Sequence, residues 1–196
     1  MARDRAARPE ARPLRLFVAV DVPDAVRRRL ARAVESLHGA LPGARWVVPE
    51  NWHVTVKFLG SVYPRLRDWV TEQVTEAARS AQPFETRLTS LGAFPSPRRA
   101  RVLWAGLEDA EGRFASVAGA LDGFLEREFR VEKRPFSAHL TVARFREQVS
   151  IGEELLRLDI ASEPFPVRAL TLYRSLLQRP AARYEPLAKF PLSGSV

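Results

Sequence analysis

The chain holds three histidines, and two of them open the same four-residue pattern, His-x-Thr-x: His53-Val54-Thr55-Val56 and His139-Leu140-Thr141-Val142. In an extended strand, alternate side chains share a face. Each histidine and its threonine then point one way, and the two apolar residues point the other way into a core. Two imidazoles facing one substrate can serve as general acid and general base near neutral pH. Two hydroxyls can hold oxyanions. Such a set suits hydrolysis of a phosphodiester without a metal.

One His-x-Thr carries no information, since a lone histidine on a strand is usually a half-buried structural residue. Two copies differ. With seven threonines in 196 residues, two of three histidines gain Thr at the second following position by chance roughly 0.4% of the time. The surroundings also rhyme. Trp52 to Phe58 and Ala138 to Phe145 share their alternation and a basic and aromatic end. One copy lies in each half of the chain, which points to two half-domains rather than a short repeat. The third histidine, His38, falls near the end of an amphipathic helix and reads as a surface residue.

The elements that must position these motifs follow from periodicity. Leu14 to Val22 reads as a buried strand ended by Pro23. Val26, Leu30, Ala33, Val34, Leu37 and Leu41 recur at helical spacing up to Pro42-Gly43. Trp46 to Val48 is a short extended piece. Trp52 to Leu59 is the first motif strand, stopped by Gly60. Leu66 to Ala77 is a second amphipathic helix. Phe84 to Phe94 and Arg101 to Leu107 read as strands joined by the proline-ruled turn Pro95 to Arg99. Phe114 to Leu125 is a third helix. His139 to Phe145 is the second motif strand. Residues 146–163 read as loop with a short helix, and Val167 to Leu176 and Arg183 to Leu192 as a final hairpin. Strands outnumber helices and several are joined by short turns. This argues for an α+β fold with largely antiparallel sheet rather than a doubly wound parallel one.

Length suits one domain with a real core or two small lobes. Hydrophobic residues make up 46% and charged residues 28% of the chain, the balance of a soluble globular protein. No run of 18 apolar residues is present, so no membrane span is expected. The absence of cysteine removes disulfides, thiolate nucleophiles and Cys-based zinc sites. No Walker pattern and no G-x-G-x-x-G appears, which argues against a common nucleotide-triphosphate enzyme. The net charge is +8 and the pI about 10.8. That charge suits an anionic partner such as nucleic acid; equally, an Arg- and Ala-rich composition with only Lys57, Lys133 and Lys189 as lysines fits compositional drift. Residues 1–13 are Arg-, Ala- and Pro-rich and read as a disordered leader without a secretory signal. The expected domain then runs over 14–192, with a tail at 193–196 and a cytoplasmic location by default.

With these residues in view, the chain resembles the 2H phosphoesterase superfamily through its paired motifs. Its flanks narrow the likeness. Arg15 to Asp21, Trp52 to Gly60, Leu91 to Pro97, Val102 to Leu107 and His139 to Arg144 resemble the RNA 2′,3′-cyclic phosphodiesterase family, also called 2′-5′ RNA ligases. The likeness runs from about Arg15 to Leu192. At Gln178 to Ala182 the chain departs from the glycine-rich turn common in that family.

The resemblance implies a bilobal α+β fold with pseudo-two-fold symmetry, helices packed outside and a central cleft. It implies metal-independent, cofactor-free hydrolysis of a 2′,3′-cyclic phosphate at an RNA end to a 2′-phosphate, with 2′-5′ ligation as its reverse. His53 would be the proton donor and His139 the proton acceptor, an assignment that spacing cannot make. Thr55, Thr141 and Arg144 would bind the phosphate. Phe58, Phe136 and Tyr173 are candidates for stacking on a base, or else core aromatics. Arg98 and Arg99 are either RNA contacts or a solvated turn. A cleft built within one chain needs no partner, so a monomer is expected. Two other readings stand beside this one: the same site acting on a small nucleotide-like cyclic phosphate, and an RNA-binding module with a residual site.

Overall fold

The computed structural model describes residues 12–176, 178 and 182–194. The expected leader therefore lies mostly outside the described residues, as does most of the turn at 178–182. In chain order the elements are β1 (Leu14–Asp21), α1 (Asp24–Val34), α2 (Leu37–Ala40), β2 (Ala44–Trp46), β3 (His53–Val62), α3 (Arg67–Arg79), β4 (Phe84–Thr86), β5 (Leu88–Phe94), β6 (Ala100–Leu107), α4 (Arg113–Leu125), β7 (His139–Val149), α5 (Glu153–Leu156), β8 (Phe165–Val167), β9 (Ala169–Leu176) and β10 (Arg183–Pro191). Among the described residues no helix is long and apolar enough to cross a membrane.

The main sheet is antiparallel in the order β10-β9-β1-β3-β7-β6-β5, with β2 also paired to β7. Its two halves, β10-β9-β1-β3 and β7-β6-β5, are the two lobes expected from the sequence. The lobes are parts of one sheet. They meet where β3 and β7 pair at Val54↔Leu140, inside the twin motifs. Both residues are fully buried, so the joint between the lobes is also the root of the site.

Helices cover the face opposite the histidines. In α3, Val70, Val74, Ala77 and Ala78 are buried, and α4 buries Phe114, Val117, Ala118, Leu121 and Leu125. α3 packs on β9, β10 and α4, and α4 packs on β3. Each fully buried Leu or Phe of this core contributes about 1.5–3 kcal/mol relative to exposure. The start of α4 is fixed by Asp109, whose carboxylate accepts the Phe114 N–H at 2.9 Å and the Ala115 N–H at 3.3 Å.

Several boundaries differ from expectation. Gly60 does not stop β3. It takes φ +70°, and beside it the register to β1 jumps from Leu16↔Gly60 to Phe17↔Phe58, so Gly60 serves a bulge within a strand that continues to Val62. Phe84 to Phe94 is two strands, and so is the stretch ending at Leu176. The reason is common to both: β4 and β8 leave the main sheet and pair with each other, Phe84↔Val167 and Thr86↔Phe165. β2 lies at Ala44–Trp46 rather than Trp46 to Val48, and β7 runs on to Val149. His38 is exposed and packs against Trp46, ring centroids 4.1 Å apart.

Candidate active site

Strict alternation would put positions 53, 55 and 57 on the cleft face, and likewise 139, 141 and 143. The structure keeps the first two of each set and changes the third. In β3 the pairing runs Val18↔Lys57 and then Ala19↔Thr55, so Val56 is an extra residue. In β7 it runs Leu103↔Ala143 and then Trp104↔Thr141, so Val142 is an extra residue. Both bulges fall on the last position of a motif and re-aim the side chains beyond it. Lys57 and Ala143 are turned inward and buried, whereas Phe58 and Arg144 come round to the cleft and are exposed. Matched bulges thus make Phe58 and Arg144 pseudo-symmetric partners.

One cavity of about 370 Å³ collects the result: His53, Thr55 and Phe58 from β3, and His139, Thr141 and Arg144 from β7. These are six of the eight residues expected at the site. Tyr173 lies elsewhere. Its ring stacks on Phe17 at 5.2 Å, Phe17 stacks on His53 at 4.8 Å, and its hydroxyl donates to Asp21 at 2.6 Å, so it stands behind the histidine. Phe136 lines an adjoining groove, half-buried and stacked on Phe114. Arg98 and Arg99 are exposed on the Pro97–Arg99 turn and do not line the cavity.

Both imidazoles are oriented by the same device. The Nδ1–H of His53 donates to the Asn51 carbonyl at 2.7 Å, and the Nδ1–H of His139 donates to the Ser137 carbonyl at 2.7 Å. A carbonyl only accepts, so each Nδ1 carries the proton and each neutral ring leaves Nε2 as acceptor. The Thr55 hydroxyl donates to Nε2 of His53 at 3.0 Å. Thr141 instead accepts from Arg144 Nη2 at 3.5 Å.

The electrostatics of the two rings differ. Burial pushes His53 down to about 4; the Asn51 carbonyl and the Asp21 carboxylate oppose this, while Arg144 and Arg27 reinforce it. His139 is also lowered, first by burial and then by Arg144, against the Ser137 carbonyl. Asp21 faces His53 across the β1–β3 pairing and accepts bonds from Thr171, Tyr173 and Lys189. Those three donors hold its carboxylate on the His53 side of the cleft. Burial and the Asp21 bond raise the Tyr173 hydroxyl above its usual range, so it stays a donor.

Sequence reading missed Arg15, Phe17, Asn51, Ser175 and Tyr184, which also line the cavity. Arg15 lies over the Phe58 ring at 4.8 Å, and Tyr184 sets its edge against His53 at 5.1 Å. Phe94 and Trp104 flank His139 at 5.0 and 6.2 Å. Apart from Asn51, which stands in the turn two residues before His53, these come from strands adjacent in space rather than in sequence. The one signal in the chain was Arg15 and Phe17 standing two apart on β1.

A family model described as LigT-like phosphoesterase matches residues 20–104, a span that holds the first motif. That is the class of protein to which fold and cleft correspond. An RNA 2′,3′-cyclic phosphodiesterase of Archaeoglobus fulgidus is 35% identical over 90% of this chain and 99% of its own length. One of Methanothermobacter thermautotrophicus is 33% identical over 91% and 99%. A third, of Geobacillus stearothermophilus, is 30% identical over 91% of this chain, which spans 57% of that protein. Among solved structures, TT0787 of Thermus thermophilus superposes with a TM-score of 0.76 at 31% identity, covering 93% of this chain and all of that one. LigT of E. coli, solved with 3′-AMP, gives 0.75 at 27% identity over 92% and 99%. The chain belongs to the RNA 2′,3′-cyclic phosphodiesterase family of the 2H phosphoesterases.

Proposed function

We propose that the protein hydrolyses 2′,3′-cyclic phosphate ends of RNA to 2′-phosphates, with His53 as general acid and His139 as general base. One observation carries this reading: two Nε2 atoms, two threonine hydroxyls and one guanidinium converge on a single cavity from two strands related by matched bulges. In-line displacement at phosphorus needs a base on one side and an acid on the other, and opposed strands supply that arrangement. His139 Nε2 takes a proton from water as the new O–P bond forms. The P–O3′ bond breaks, and His53 Nε2–H delivers its proton to O3′, leaving a 3′-hydroxyl and a 2′-phosphate. Thr55, Thr141 and Arg144 hold the non-bridging oxygens, where charge builds in the transition state. The assignment of acid and base follows the family resemblance; Asp21 favours the protonated form of His53 but does not overcome the burial that lowers it. Ligation is the same displacement with an RNA 5′-hydroxyl in the place of water. It is therefore an alternative to hydrolysis rather than its reverse.

The test is incubation of the purified protein, in EDTA, with an oligoribonucleotide ending in a 2′,3′-cyclic phosphate. Conversion to a 2′-phosphate end is expected, with a loss of about 10²–10⁴-fold in His53→Ala and in His139→Ala. A 3′-phosphate product would show that the leaving oxygen and the acid are misassigned. Wild-type turnover retained in both variants would remove the two-histidine mechanism.

A further inference from the structure

A second groove, of about 780 Å³, adjoins the cleft and shares Thr55, Phe58 and His139 with it. Ala115, Ala118 and Gly119 of α4 line one side, and the connection at residues 126–138 lines the other. That connection is fixed from below. Lys57, turned inward by the Val56 bulge, pairs with Asp122 of α4 and donates to the Arg130 carbonyl at 2.6 Å. The other Asp122 oxygen accepts the Glu132 N–H at 3.1 Å.

These bonds also neutralise the acidic groups that line the groove. Asp122 is paired with Lys57, and Glu132 with Arg134 at 3.1 Å. Among the described residues, Arg130 and Lys133 have no carboxylate partner. The groove therefore presents two uncommitted cations beside apolar surface: Phe136, the exposed Val131, and Phe58 at the mouth. Cations alternating with aromatic and apolar faces suit single-stranded nucleic acid.

We infer that this groove holds the RNA strand immediately upstream of the reacting end, with Arg130 and Lys133 on its phosphates and Phe136 against a base. The inference rests on the proposed reaction for its direction. O3′ leaves toward His53, so the terminal ribose lies on the β3 side, and the nucleotides joined to its 5′ oxygen pass Phe58 into the groove. On the other side of the cleft, by Asn51, Ser175 and Tyr184, the lining cation is Arg15, and its guanidinium lies over the Phe58 ring at 4.8 Å, at the mouth of the groove.

The experiment compares wild type with Arg130→Ala/Lys133→Ala, both exposed positions whose loss leaves the core intact. Turnover is measured on a ribonucleoside 2′,3′-cyclic phosphate and on a trinucleotide with the same end. Binding is measured by fluorescence anisotropy of a labelled hexaribonucleotide with a 3′-phosphate, over a salt titration. The double variant is expected to lose about tenfold in kcat/KM on the trinucleotide and to keep the mononucleotide rate within about twofold. Its salt slope for the hexanucleotide should fall by about 1.4, two phosphate contacts' worth. Equal hexanucleotide binding and slope in the two proteins overturns the groove, whatever the turnover. Equal losses on both substrates overturn it too, because the cations would then serve the cleft. If wild type turns over neither cyclic substrate yet binds the hexanucleotide with the groove-dependent slope, the catalytic reading fails and the groove stands.

Discussion

His53 rests neutral because burial removes its imidazole from water, which holds it at about 4. The acid role needs a second ring proton, so that proton must arrive with the substrate. A phosphoryl anion beside Arg144 offsets the charge that opposes protonation and adds an acceptor for Nε2–H. Binding of a ribonucleoside 2′-phosphate near pH 6.5 should therefore take up a proton in wild type and less in His53→Gln. Calorimetry in buffers of different ionisation enthalpy reads this directly; the same proton count in both proteins would show that His53 does not receive it. The depressed value also sets a stability window. Between about 6.5 and 4 the unfolded chain binds a proton that the folded one refuses, so this contribution is complete above about pH 6.5 and is lost as pH falls toward 4. His139 shifts in the same direction. Urea denaturation should show wild type losing, on the order of 3 kcal/mol at most, stability over that window that His53→Gln keeps.

The strands supply what single residues cannot, which is direction. Period-two alternation made His53, Thr55, His139 and Thr141 legible, because both motifs stay regular up to their last residue. It could not show that Phe58 and Arg144 reach the cleft. Val56 and Val142 each add one residue against the neighbouring strand, and a bulge leaves no mark in hydrophobic pattern. Tyr173 is absent from the cavity lining for a different reason: β9 lies beside β1, and the Tyr173 ring packs on Phe17 and on His53, 5.2 and 6.1 Å away, with its hydroxyl held by Asp21. Gly60 looked like a stop because glycine marks strand ends and bulges alike. The element-level support of His139 can be tested at Gly92, whose missing side chain leaves room for the Trp104 indole; a Cβ there would lie 2.2 Å from that ring. Gly92→Ala should push Trp104 toward Phe94 and His139 and lower kcat/KM by about tenfold. Gly43→Ala, with nothing within 4 Å of its Cβ, should leave the rate unchanged. Equal rates in the two variants would show that the Trp104 layer does not position the ring.

Across the whole molecule, the two lobes share little backbone pairing, and side chains on the helical face complete the union. Trp69 of α3 stacks on Phe129 at 6.4 Å, and Arg127 lies over Trp69 at 4.9 Å. Beneath them Lys57 and Asp122 are 7% and 14% exposed, and they tie the first motif strand to α4 and to the connection that ends at His139. The bonds fix the connection at Arg130 and Glu132, and five residues further along the same connection the carbonyl of Ser137 orients the other lobe's histidine. Removing one member of a buried pair strands the other charge and costs about 3–5 kcal/mol, whereas replacing both with apolar groups is often close to neutral. Lys57→Met alone should thus destabilise by that amount in urea unfolding, and Lys57→Met/Asp122→Leu should recover most of it. Stability and activity then separate. The double variant regains its fold but lacks the bonds to the Arg130 carbonyl and the Glu132 N–H, so the connection is freed and kcat should stay below wild type. A double variant as active as wild type would limit the pair to holding the fold, and full destabilisation in the double variant would mean the cavity, not the stranded charge, set the cost.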